Sequence, residues 1–254
     1  MKKLIKKILL YSGLTLVVIV VCFFSLAKYF IFKNGATTEV QSEHFIILYN
    51  LQDEKTALDL QKTLENNYVR ITTNLKQEPS KHIRVKIYPN SQLFNEGIKS
   101  ELKWYDAPDW LSSACGNNII LLLSPSSLGY NKNHDPRIGA VHEFVNILVR
   151  QIRSDIVWPL WEGIAQHEVG QAYYPLKEKH LPNSIKEMFS WTLDDGERLY
   201  SCGHSFVSFI IKNYGYDKFI ELYKKDYSNN KFDKETKEIY EKWISELKHE
   251  FLKK

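Results

Sequence analysis

The 254 residues are 44% hydrophobic and 25% charged, with only 11 Gly and 8 Pro, which excludes disordered, collagen-like and low-complexity chains. The formal charge of +4 belongs to the N-terminus: residues 1–33 hold six lysines and no acid, leaving 28 basic against 30 acidic residues beyond them. A globular part without basic excess offers no electrostatic footprint for nucleic acid, so no nucleic-acid partner is expected.

Residues 8–27 carry no charge. At 1.5 Å per residue such a run spans about 30 Å, the thickness of the hydrocarbon layer. Four lysines precede it, and Lys28 and Lys33 follow. Residues 1–33 thus read as a cytoplasmic tip and a transmembrane anchor, with the C-terminal domain outside the cytoplasm. A cleaved signal peptide, giving a secreted protein, is the competing reading, because Ser25-Leu26-Ala27 puts small residues where a signal peptidase reads. The length of the run, continued by Tyr29-Phe30-Ile31-Phe32, favours the anchor.

Residues 34–42, with Asn34, Gly35, Thr37 and Thr38, read as a linker to a domain over residues 43–254. Phe45 to Tyr49 is a short apolar strand. Gln52 to Lys76 carries apolar residues at three- and four-residue spacing and predicts a helix. Ile83 to Tyr88 alternates as a half-buried strand, and a short helix follows around Leu93 to Ile98. Leu111 to Cys115 and Ile119 to Leu123 flank Gly116-Asn117-Asn118 as a hairpin, the second strand apolar on both faces. Asp135-Pro136 is an N-cap and first-turn pair for a helix to about Ile152. Pro159 starts another to about Ala172. A third runs from Gly196 to Tyr214 with Gly215 beyond its end, Asp217 caps a further one, and Lys234 to Phe251 makes the last. The fold class is α+β, a small mixed or antiparallel sheet followed by a helical half. Outside the cytoplasm Cys115 and Cys202 are either a disulfide or two buried thiols.

Three blocks carry chemistry. Ala140-Val141-His142-Glu143-Phe144-Val145-Asn146 lies mid-helix. Trp161-Glu162-Gly163-Ile164-Ala165 follows Pro159. Ser205 to Ile211 leads to Tyr214-Gly215. In order and spacing they resemble the gluzincin metallopeptidases, specifically the peptidase-MA-like domains of secreted and membrane proteins. There a helix bears His-Glu-x-x-His, a second bears Glu before Gly-(Ile/Leu)-Ala, and a third ends in Tyr-Gly. The resemblance covers about residues 119–222.

The resemblance implies a zinc-dependent hydrolysis of peptide bonds. His142 and Glu162 match metal ligands, and Glu143 matches the base that activates metal-bound water. Tyr200 and His204 are candidates to hold a transition-state oxyanion, as a Tyr or His does in related peptidases. Independently of any family, residues four apart on a helix share a face, so positions 142 and 146 can grip one ion. Position 146, however, is Asn, which offers a neutral amide oxygen where zinc prefers imidazole. Gln166 stands where a supporting carboxylate often appears. Three readings follow: a membrane-anchored metallopeptidase with an altered site, a pseudopeptidase binding peptide or cell-surface polymer, or a structural ectodomain. The family resemblance also implies that Ile119–Leu123 lies beside the His142 helix and offers a free backbone edge to peptide.

Overall fold

The computed structural model describes residues 38–254 apart from residues 133, 156, 228–230 and 254. The expected anchor lies outside the described residues. Among these, no helix is long and apolar enough to cross a membrane.

The fold is α+β. Strands β1 (Thr38–Gln41), β2 (Phe45–Tyr49), β3 (Ile83–Tyr88), β4 (Ser113–Cys115) and β5 (Ile119–Leu123) form one mixed sheet in the order β1-β2-β3-β5-β4. The inner strands β2, β3 and β5 are parallel, and the two outer pairs are antiparallel. The α-helices are α1 (Glu54–Leu75), α2 (Ser91–Gly97), α3 (Pro136–Ile152), α4 (Trp158–Val169), α5 (Ile185–Phe189), α6 (Gly196–Lys224) and α7 (Lys234–Phe251).

Period-two alternation divides the sheet between two cores. Ile83, Val85, Ile87, Ile120 and Leu122 face the large core with α1, α3 and the helical half. Tyr88, Ile119, Leu121 and Leu123 face a smaller one with Leu93 and Phe94 of α2. With both faces covered, β3 is not half-exposed as its alternation suggests. Lys86 is buried and its Nζ lies 2.7 Å from Glu101 Oε1, which also accepts from the Tyr88 hydroxyl.

Two expectations are corrected. Thr38–Gln41 is not linker: it pairs antiparallel with β2, Val40 opposite Ile47, and Val40 packs on the large core. Ile119–Leu123 is not an edge strand either. It hydrogen-bonds β3 on one side and β4 on the other, so the free edge passes to β4. The hairpin turn folds β4 onto the outside of β5, and an internal strand has no edge to offer.

Helix ends follow local chemistry. The Asp135 side chain accepts from Arg137 N and Pro136 opens α3. α4 stops at Val169, short of the expected Ala172, because Gly170 takes a φ of 67°. α6 is interrupted at Gly215, where φ is 80°, which makes it the two helices expected from the sequence. Cys115 and Cys202 are free thiols.

Candidate functional site

A cleft of about 700 Å³ opens between β4, the cleft-facing side of α3, the start of α4 and a loop carrying Tyr173 and Tyr174. His142, Glu143, Asn146, Glu162 and Tyr200 all line it. His204 is not among the lining residues. It sits on α6 beside His167, whose Nδ1 lies 2.9 Å from the Ser208 hydroxyl away from the cleft. His134 stands at the rim, 3.1 Å from the Ser112 hydroxyl.

Two glycines bring the residues of the first two sequence blocks together. α4 and α6 cross so closely that a Cβ on Gly163 would meet Gly203 O at 2.3 Å, and one on Gly203 would meet Pro159 O at 2.6 Å. Neither contact is physical, so only glycine permits the crossing. It seats Glu162, one residue before Gly163, against α3.

His142 Nε2 then lies 3.1 Å from Glu162 Oε2, and its Nδ1 lies 2.9 Å from the Tyr173 hydroxyl. Glu143 accepts from Ser113 Oγ of β4 at 2.8 Å on one oxygen and from Asn146 Nδ2 at 3.4 Å on the other. All four of His142, Glu143, Asn146 and Glu162 are buried. Asn146 Oδ1 has no partner among the described residues. Burial pulls the His142 imidazole down, but the Glu162 carboxylate and its hydrogen bond, aided by Glu143, outweigh that and hold it above its ordinary value. Burial first, then Glu162 and Glu143, pushes the Tyr173 phenol well up. Burial and Glu143 do the same to the Cys115 thiol at the end of β4.

Tyr173 is the residue that sequence reasoning missed. Its place depends on Gln166, which is fully buried. The Gln166 amide donates to Glu162 O at 3.2 Å and to Tyr200 O at 3.1 Å, while its oxygen accepts from Tyr173 N at 2.9 Å. One side chain thus ties α4, α6 and the Tyr173 loop. A carboxylate at 166 has no N–H to give either carbonyl, which explains the amide at this position. The only local signal was the Tyr173-Tyr174-Pro175 run soon after a helix end.

The zinc ion implied by the resemblance fits this donor set poorly. One imidazole and one carboxylate converge, and the third donor is the neutral Asn146 oxygen. Among the described residues no three His, Cys, Asp or Glu side chains converge as a metal site. No protein-family model matches the chain, and no curated protein matches it. The gluzincin resemblance therefore rests on the three sequence blocks.

Proposed function

We propose that the domain is a gluzincin-like pseudopeptidase: a membrane-tethered, extracytoplasmic module that binds extended peptide without cleaving it. The observation that carries this reading is the state of Glu143. Both its oxygens already accept hydrogen bonds from the protein, so a water to be activated must compete with Ser113 and Asn146 for them. His142 is likewise engaged at both nitrogens. Apart from Asn146 Oδ1, the polar centre bonds within itself and serves as the floor of a groove.

The wall of that groove is β4, the last strand of the sheet. A peptide laid along it can continue the main-chain ladder, with Trp110, Tyr130, Tyr174 and Trp158 around the cleft to receive its side chains. The test compares a randomised hexapeptide pool with the same pool N-methylated on alternate amides, binding to the full chain in detergent. Strand addition predicts a loss of at least about 10-fold on methylation. Equal binding contradicts it.

A second reading, a peptidase with a weakly held ion, is favoured by one distance. The 3.1 Å between His142 Nε2 and Glu162 Oε2 is a separation at which two ligands can share a metal. Chelator-sensitive turnover by the unmodified chain would establish that reading.

A further inference from the structure

We infer that Arg150 is a carboxylate-binding subsite at one end of the cleft, and that the module therefore selects peptides presenting a carboxylate there. This inference rests on the peptide-binding reading of the cleft.

Arg150 lies in the last turn of α3, eight residues after His142 and four after Asn146, so the three share one face. It lines the cleft with them. Its guanidinium stacks over the Trp161 ring at 4.9 Å. Its Nε is buried, and among the described residues it has no hydrogen-bond partner and Arg150 forms no ion pair within 4 Å. A cation in a last helical turn is ordinarily explained by the helix dipole. Such a residue extends its long stem into water, where its donors are satisfied. Arg150 instead turns into the groove, its guanidinium over an indole, with no carboxylate among the described residues within ion-pair reach of its fork. Neither Glu143 nor Glu162 forms a salt bridge with it, although both line the same cleft. A planar guanidinium with free donors in a partly enclosed groove matches a carboxylate, bidentate, in both shape and charge.

The sheet edge gives the subsite a direction. β4 runs alongside α3 in the same sense: Ser113 lies against Gly139 and bonds Glu143, while the thiol of Cys115, two residues on, faces Glu143 first and then Arg150. A peptide added parallel to β4 ends toward Arg150 and offers its terminal carboxylate. One added antiparallel begins there and offers an acidic side chain instead. The two sources share one chemistry and differ in strand direction.

The experiment uses the full chain in detergent and randomised hexapeptide pools in matched forms: C-terminal acid or amide, and Asp/Glu present or replaced by Asn/Gln. The bound fraction is sequenced. The expected result is a preference of about 10-fold or more for the carboxylate in one of the two comparisons. In Arg150→Gln that preference falls to near one, and in Arg150→Lys, which keeps the charge and the stem but loses the fork, it falls partway. Arg150→Lys carries the test if the Gln variant does not fold. Equal binding of all pools overturns the subsite and leaves the cleft reading standing. A carboxylate preference that survives both substitutions overturns the assignment to Arg150. No binding of any pool overturns the cleft reading, and the subsite with it.

Discussion

At the scale of single residues, Asn146 separates this domain from the enzymes it resembles. It occupies the position one turn beyond His142, yet gives its N–H to Glu143 and leaves its oxygen without a partner among the described residues. Replacing it with imidazole changes the donor set and frees one oxygen of Glu143. Asn146→His is expected to raise zinc affinity by at least about 10-fold, measured by competition with a chromophoric chelator. An unchanged affinity would mean that His142 and Glu162 are not placed to share an ion. Gln166 makes a second residue-scale case. Gln166→Glu removes two donated hydrogen bonds and sets a charge against two carbonyls in the interior. A loss of about 2 kcal/mol or more is expected in urea denaturation. Retention of full stability would show that the Tyr173 loop does not depend on this amide. The shared face of His142 and Asn146 was legible in the sequence because a helix fixes spacing, while Glu143 and Glu162 were marked only by the resemblance of their blocks. Tyr173 was not, because its approach to His142 depends on the chain reversing after Gly170, and no periodicity encodes that.

At the scale of elements, the α4–α6 crossing positions Glu162. A methyl group at position 163 would strike the backbone of Gly203 and the Val207 side chain at 2.7 Å, and backbone cannot swing aside. Gly163→Ala is expected to cost about 1–3 kcal/mol, or several degrees in melting temperature. An unshifted melting curve would contradict the close crossing. The start of α7 makes a pH-dependent contribution. Asp233 accepts from Thr236 N at 2.7 Å and lies 2.8 Å from Lys225 Nζ; the lysine first, then Thr236, draws its carboxyl down to about 2. Because the folded value is depressed, this contribution is fully present above about pH 4, the ordinary range of a carboxyl, and is lost as pH falls through about 2. Asp233→Asn should therefore flatten the fall in melting temperature between pH 4 and pH 2, and an identical acid limb would refute the role. Helix α3 was readable because Asp135 and Pro136 announce it locally. The order of the strands was not. Ile119–Leu123 shows that it is buried on both faces, but not which strand lies outside it, since pairing partners come from distant segments.

At the scale of the whole molecule, the sheet and the helical half meet along one groove. β4 supplies its edge, α3 its polar floor, α4 and α6 the buttress behind Glu162, and Arg150 one end. The three sequence blocks gave the order of these parts. Their closure into a polar centre depends on Ser113 and Tyr173, which no pattern of spacing singles out, and on Gln166, marked in the sequence only as standing where a supporting carboxylate often appears. The central claim is that this groove holds peptide and leaves it intact. The most direct measurement incubates the full chain in detergent with a randomised hexapeptide pool at neutral pH with zinc present, then reads bound and free fractions by mass spectrometry. The account predicts a retained set of intact peptides and no new termini, with Glu143→Gln retaining the same set. Shortened peptides that accumulate with time and vanish in Glu143→Gln would contradict it and make the domain a working peptidase.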